Sequence, residues 1–158
     1  MTFLYFDANA IVKGYVSERG SECVAQIFAT ADQVFTCRIA FAEVMATLRK
    51  KRDELPSLGS QIHQLAEQFS QDWESITAID LSAEVLGVVR GQAFRHSLKA
   101  LDLLHLSAAV FLRQATGIPV VFVCSDQNLL GAARRESIPV FDPEVDDAAI
   151  LDREIGRG

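Results

Sequence analysis

The chain has no run of apolar residues long enough to span a membrane, which takes about 18 consecutive residues. Its N-terminus also lacks the basic segment and the small-residue cleavage site that mark a signal peptide. We therefore expect a soluble, cytoplasmic protein with no membrane partner. With 158 residues and no visible linker, repeat or low-complexity stretch, the chain is predicted to form one domain over residues 1–158, of which about 143–158 are a C-terminal tail.

Cysteine and positive charge are both scarce. The three cysteines, Cys23, Cys37 and Cys124, are an odd number, widely spaced and next to apolar residues. This pattern excludes a disulfide framework and a zinc site and predicts core thiols. The 15 Lys and Arg residues are outnumbered by 21 Asp and Glu, so the formal net charge is −6. The charge argues against a general nucleic-acid binder, because affinity for phosphates normally comes from a basic surface.

The few basic residues are unevenly distributed. They form one run at residues 49–52 (RKKR) and a shorter one at Arg134 and Arg135. Both runs suit helix C-termini, where cations complement the helix dipole. Both could also contact phosphates, and the two interpretations are compatible.

Short runs rich in β-branched and aromatic residues alternate with longer segments of helical period. The predicted strands are residues 2–6, 33–37, 75–79, 120–124 and 139–141. The predicted helices are residues 21–30, 39–51, 58–72, 82–94, 99–116 and 127–135. Such alternation is typical of an α/β fold in which a mostly parallel central sheet carries helices on both faces, which makes a three-layer sandwich.

Four acidic residues stand in apolar or small-residue surroundings, where a solvated surface charge is not expected: Asp7, Glu43, Asp102 and Asp126. Burying carboxylates is costly unless something pairs them, and four that converge repel one another. A hard divalent cation removes both costs.

The predicted elements allow these four residues to meet. In open α/β sheets, ligands bind beyond the carboxyl ends of the strands, and both Asp7 and Asp126 follow predicted strands. Glu43 lies about two turns into its predicted helix, and Asp102 in the first turn of its own. All four can therefore face one crevice.

The chemistry that this set favours is hydrolysis of phosphodiester bonds, because Mg²⁺ or Mn²⁺ held by carboxylates activates water and neutralises a negative transition state. Magnesium takes few protein carboxylates, so Asp7 and Asp102 are the predicted direct ligands. Glu43 and Asp126 are predicted to complete a second site or to bind through water. Two neutral neighbours are candidates for orienting a carboxylate or a bound water: Asn9 and Ser125.

Each acidic residue also has a simpler structural explanation. An Asp after a strand is often an N-cap or turn residue, which applies to Asp7 and Asp126. The helix dipole alone can account for Asp102, whereas Glu43 has little polar company on its helix. His105 lies one helical turn after Asp102 and could be a ligand or general base, but a buried structural histidine is the favoured interpretation.

Other conspicuous residues are assigned structural roles. Trp73 is expected to be a partly buried anchor, although it could also stack on a base. His63 and His96 have no acidic or cysteine partner at ligand spacing and are expected on the surface. The acidic segment 142–152 is expected to be a solvated end with a short helix.

Four segments resemble PIN-domain ribonucleases, particularly the VapC-type toxins of bacterial toxin–antitoxin pairs, and they occur in the family's order. They are residues 5–13 (YFDANAIVK), 38–44 (RIAFAEV), 101–109 (LDLLHLSAA) and 123–130 (VCSDQNLL). Together they span nearly the whole chain. One departure is Ala8, which stands where Thr is frequent in the family. The resemblance implies a PIN-like fold.

The resemblance also implies an activity and partners. It points to an endoribonuclease dependent on Mg²⁺ or Mn²⁺, with RNA as substrate and with the four acidic residues as its centre. It further implies inhibition by a cognate antitoxin protein and a tendency to form a homodimer. Two alternatives remain: a phosphohydrolase of the haloacid-dehalogenase type with Asp7 as nucleophile, and a non-catalytic PIN-like module that acts only by binding a partner.

Overall fold

One all-parallel sheet of five strands lies at the centre of the computed structural model, which describes residues 1–151. The strands are β1 (Phe3–Phe6), β2 (Gln33–Cys37), β3 (Thr77–Ile79), β4 (Val121–Val123) and β5 (Val140–Phe141). Their order across the sheet is β3-β2-β1-β4-β5, so β1 is the central strand. Strands covered on both faces have near-continuous apolar sequences, and the predicted parallel sheet is confirmed.

Seven α-helices connect the strands within residues 1–151. They are α1 (Ala8–Lys13), α2 (Ser21–Thr30), α3 (Ala40–Glu54), α4 (Gly59–Asp72), α5 (Ala83–Arg95), α6 (Ala100–Thr116) and α7 (Gln127–Arg135). All six predicted helices are present, but α1 was not predicted, because six residues are too few to establish a helical period. A 3-10 turn at Trp73–Ser75 occupies the start of the predicted third strand. No helix in this part of the chain has both the length and the apolar character needed to cross a membrane.

The sheet lies between two layers of helices. Leu4 and Phe6 of β1 contribute to a core with buried residues of α1 to α4, whereas Tyr5 contributes to a second core with residues of α5 to α7. This division follows from the alternation of side chains along a strand. The predicted three-layer sandwich is therefore confirmed.

Trp73 anchors the first of these cores. Its ring packs edge-on against Phe41 of α3 and Phe69 of α4, with centroids 5.2 and 5.7 Å away. Trp73 is partly buried, as predicted. The predicted core thiols are free and buried or partly buried: Cys23, Cys37 and Cys124.

His96 does not lie on the surface, contrary to the sequence prediction. His63 is exposed, as expected, but His96 is only 6% exposed and its Nε2 lies 2.6 Å from Oε1 of Glu136. The C-terminal ends of α5 and α7 meet at this pair. Its partner is 40 residues away in sequence, which is why local spacing did not predict it.

The segment after β5 is not a solvated end either. Asp142 and Leu151 are each 6% exposed, and Leu151 belongs to the core on the α1 to α4 side. Glu144 reaches back to Nζ of the buried Lys13, at 3.0 Å. The expected short helix begins at residue 149. The remainder of the predicted tail, residues 152–158, lies outside the described residues.

Candidate active site

Asp7 lies at the carboxyl end of the central strand. Its backbone N–H donates to the carbonyl of Val123 in β4 at 3.2 Å, and the residue is 4% exposed. Oδ1 accepts a hydrogen bond from the N–H of Ala10 at 2.8 Å and so caps α1. The N-cap explanation for Asp7 is therefore correct, but capping engages only one of its two carboxylate oxygens.

Asp126 occupies the equivalent position after the neighbouring strand. Its Oδ1 accepts from the N–H of Leu129 at 2.8 Å and caps α7. Unlike Asp7, Asp126 is exposed. Ser125, beside it, has a buried Oγ that finds no hydrogen-bond partner among residues 1–151. A buried hydroxyl without a partner is costly, and the Ser125 hydroxyl can still form a hydrogen bond.

Glu43 is held by a histidine. It lies in the first turn of α3, not about two turns into the helix as predicted. Its Oε2 lies 2.7 Å from Nε2 of His105, and its side chain is 18% exposed. His105 is 1% exposed, as expected of a structural histidine, and its Nδ1 lies 3.2 Å from the hydroxyl of Tyr5. No local sequence pattern predicted the contact with Glu43, which lies 62 residues away.

Burial and neighbouring charge both raise pKa values at this site. Burial raises the pKa of Asp7 to about 6; the charges of Asp102 and Glu43 add to the rise, against His105 and the Ala10 N–H. Burial also raises the pKa of Asp102, helped by the charges of Asp126 and Glu43. Asp7 and Asp126 follow the adjacent strands β1 and β4, and His105, one turn after Asp102, contacts Glu43. The elements that carry the four predicted residues therefore meet at this end of the sheet.

The remaining residues singled out in the sequence are Asp102, Asn9 and the two basic runs. Asp102 lies in the first turn of α6, and the exposed Lys99 that precedes this helix opposes the rise in the pKa of Asp102. Asn9 is exposed on α1, and within the described residues its side chain makes no hydrogen bond. The structure therefore offers no contact through which Asn9 would support the site. The two basic runs end α3 and α7, as predicted.

A model of the PIN domain family matches residues 4–134. The chain belongs to the PIN domain family. The resemblance carried by the four acidic segments is thereby confirmed, and the matched region contains all four acidic residues.

Two relatives match nearly the full chain. Ribonuclease VapC45 and Ribonuclease VapC49, from two strains of Mycobacterium tuberculosis, are each 26% identical to it over 147 residues, which cover 92% of this chain and 99% of the relative.

Solved structures of lower sequence identity share the fold. A toxin–antitoxin complex from Klebsiella pneumoniae superposes with a TM-score of 0.63 at 17% identity, covering 89% of this chain and 97% of the other. VapBC2 from Rickettsia felis, bound to a DNA fragment of its promoter, has a TM-score of 0.64 at 13% identity, with coverage of 89% and 98%. FitAcB from Neisseria gonorrhoeae has a TM-score of 0.64 at 16% identity, with coverage of 90% and 99%.

The donors at this end of the PIN domain suit a hard divalent cation. All are oxygens, which magnesium and manganese prefer, and neighbouring carboxylates add to the raised pKa values of Asp7 and Asp102. The unpartnered Ser125 hydroxyl lies beside Asp126. Within residues 1–151 no three His, Cys, Asp or Glu side chains are close enough to hold one ion together. That arrangement is compatible with magnesium, which is usually bound by one or two carboxylates and several waters.

Proposed function

We propose that this PIN-domain protein is a metal-dependent endoribonuclease and the toxin of a toxin–antitoxin pair. The observation that carries the proposal is the buried Asp7 at the end of the central strand, with its pKa raised to about 6 and further carboxylates around it. A carboxylate kept in such surroundings costs stability unless a cation neutralises it. The ribonuclease names of the two mycobacterial relatives support RNA as the substrate.

Asp7 and Asp102 would hold a Mg²⁺ or Mn²⁺ ion directly, and Glu43 and Asp126 would act through water or complete a second site. The ion would supply an activated water and neutralise the negative charge of the transition state. The chain's own contribution is geometric. Asp7 is fixed by its bond to Ala10 and Glu43 by its bond to His105, so neither carboxylate has to be ordered when the substrate arrives.

Two exposed apolar surfaces support protein partners. An open groove of about 550 Å³ next to the N-terminus of α3 is lined by Arg38, Ile39, Phe41, Ala42, Trp73 and Leu81. It suits a cognate antitoxin, and an arginine from such a protein could pair with the carboxylates in place of the ion.

On α5, Leu86 and Phe94 are 52% and 92% exposed. A helix that presents large apolar side chains to solvent suits a homodimer interface.

We expect the purified protein to cleave single-stranded or loop RNA in Mg²⁺ or Mn²⁺ and to stop when EDTA is added. Asp7→Asn and Asp102→Asn should each lower the cleavage rate by roughly 100-fold or more, since the ion is worth several kcal/mol to the transition state. A fluorogenic RNA assay measures both effects. The protein encoded by a short neighbouring antitoxin gene should suppress cleavage by the wild type. Cleavage that survives exhaustive chelation would contradict the metal mechanism.

The same preparations separate the alternatives. A phosphohydrolase of the haloacid-dehalogenase type would hydrolyse small phosphomonoesters through an aspartyl intermediate on Asp7, whereas the proposed nuclease should leave them intact. A folded protein that binds a partner but cleaves no RNA in either metal would be the non-catalytic module.

A further inference from the structure

A buried chain of three polar side chains connects the central strand to the acidic group. Tyr5 of β1 contacts Nδ1 of His105 at 3.2 Å, and Nε2 of His105 contacts Oε2 of Glu43 at 2.7 Å. Resting on the proposed function, we propose that His105 is a positioning residue for RNA cleavage, which acts by holding the carboxylate of Glu43 in its working orientation.

The carboxylate of Glu43 defines the direction of its hydrogen bond with the imidazole. A carboxylate has no proton to donate, so Nε2–H of His105 donates to Oε2 of Glu43 in a charge-assisted hydrogen bond. The Tyr5 hydroxyl can either donate to Nδ1 or accept from it, and it holds the other side of the ring in both cases.

Tyr5, the first of these three contacting side chains, is held rigidly. Tyr5 is fully buried and stacks on Phe122 of β4, with ring centroids 5.0 Å apart. The rings of Tyr5 and His105 meet edge-on at 6.1 Å. The orientation of the imidazole is thus set by two adjacent strands at the centre of the sheet, the same two strands that end at Asp7 and Asp126.

Glu43 is the member of the acidic group that needs such support. Its side chain has more rotatable bonds than that of an aspartate, and it lies at the boundary between core and solvent with 18% exposure. Asp7 and Asp126 are instead held by the backbone N–H groups that they cap. Within residues 1–151, His105 is the side chain that donates to Glu43. It occupies one oxygen and leaves Oε1 for the site.

A double-mutant cycle tests whether His105 acts through Glu43. His105→Leu should lower kcat for RNA by about 10- to 100-fold, the usual effect of removing a group that orients a carboxylate ligand, with a much smaller change in KM. Glu43→Ala combined with His105→Leu should be no slower than Glu43→Ala alone. If the two losses multiply, His105 does not act through Glu43 and the proposal is overturned. His63→Leu, at an exposed histidine, is the matched control and should have no effect.

Rescue by a conservative variant separates positioning from packing. In His105→Gln the side-chain amide can donate from close to the place of Nε2, so this variant should recover most of the lost kcat. Equal losses in the Gln and Leu variants would overturn the proposal. If His105→Leu does not fold, Tyr5→Phe provides the test, because it removes only the hydroxyl that holds the ring. It should lower kcat by a smaller factor, and an unchanged kcat would count against the chain of contacts.

Two measurements without RNA keep this inference distinct from the nuclease proposal. Nitrogen NMR of the wild-type histidine rings should show a proton on Nε2 of His105, and a proton on Nδ1 alone would overturn the proposal. Calorimetry with Mn²⁺ should show weaker binding in both His105→Leu and Glu43→Ala, without further weakening in the double variant. This result in a protein that cleaves no RNA would refute the nuclease and leave intact only the inference that His105 positions Glu43. Unchanged Mn²⁺ affinity in His105→Leu would refute the positioning role.

Discussion

Asp7 stabilises a helix N-terminus, but its ionised carboxylate is unfavourable at neutral pH because it is buried. Its Oδ1 caps α1, yet its burial raises its pKa to about 6. In the unfolded chain the Asp7 carboxyl ionises near its ordinary pKa of 3.8. As the pH rises, this carboxyl therefore loses its proton in the unfolded chain before it does so in the folded protein. Well below pH 4 the carboxyl is protonated in both states and has no effect on stability. Above pH 6 the ionised group costs the metal-free protein roughly 3 kcal/mol.

Asp7→Asn should therefore stabilise the protein in EDTA at pH 7.5 by about 1–3 kcal/mol. Asparagine is as good an N-cap as aspartate, so the cap on α1 is kept while the buried charge is removed. The gain should shrink as the pH falls from 6 to 4, and urea unfolding at several pH values measures it. Asp126→Asn, at the exposed cap of α7, should change stability by less than about 0.5 kcal/mol throughout. A loss in Asp7→Asn that is equal at pH 7.5 and pH 4 would contradict this account.

At the scale of secondary-structure elements, each acidic residue lies at the N-terminus of a helix. Asp7 and Asp126 are the N-caps of α1 and α7, and Glu43 and Asp102 lie in the first turns of α3 and α6. The N-terminus of a helix carries a partial positive charge and unpaired N–H groups. Four helix termini therefore offset part of the repulsion among the carboxylates. The structural and functional explanations of these residues are thus not exclusive.

Asp126 allows the cap and the charge to be separated. Asp126→Ala should lower the free energy of unfolding by about 1 kcal/mol, because the N–H of Leu129 loses its acceptor. Asp126→Asn should lower the free energy of unfolding by only about a few tenths of a kcal/mol, since the amide oxygen still accepts the hydrogen bond. RNA cleavage should fall in both variants if the negative charge is what the site uses. Full activity in the Asn variant would assign Asp126 to capping alone.

At the scale of the whole molecule, the segment after β5 closes the core on the α1 to α4 side. Leu151 is 6% exposed and packs in that core. Lys13 of α1 is buried and pairs with Glu144 at 3.0 Å and with Glu18 at 3.3 Å. A charged residue is rarely buried unless it is paired in this way. Residues 142–151 are therefore part of the fold rather than an appendage.

Leu151→Ala should lower the free energy of unfolding by about 2–4 kcal/mol, the usual cost of a cavity left by a buried leucine. Its neighbour Ile150 is 39% exposed, so Ile150→Ala is a matched control and should cost much less. Urea unfolding of both variants provides the comparison. Similar small losses in the two would mean that the segment does not contribute to the core in solution.

The strands, six of the seven helices and the four acidic positions were predictable because each depends on a local property. A buried strand is visible as a short apolar run, and a helix of ten or more residues shows its period. The carboxyl ends of parallel strands lie at one edge of the sheet, so the neighbourhood of Asp7 and Asp126 followed from their positions alone. The six residues of α1 were too short for this reasoning.

The sequence by itself therefore determined the layers of the fold, the family and the residue types of the acidic group. Tertiary structure alone decided which side chains hold that group in place. His105 and Glu43 are 62 residues apart, and His96 and Glu136 are 40 apart. Whether such residues meet depends on the face that each helix turns toward the sheet and on how closely the helices pack. No local window of sequence contains that information, because the energy that selects the packing is distributed over the whole core.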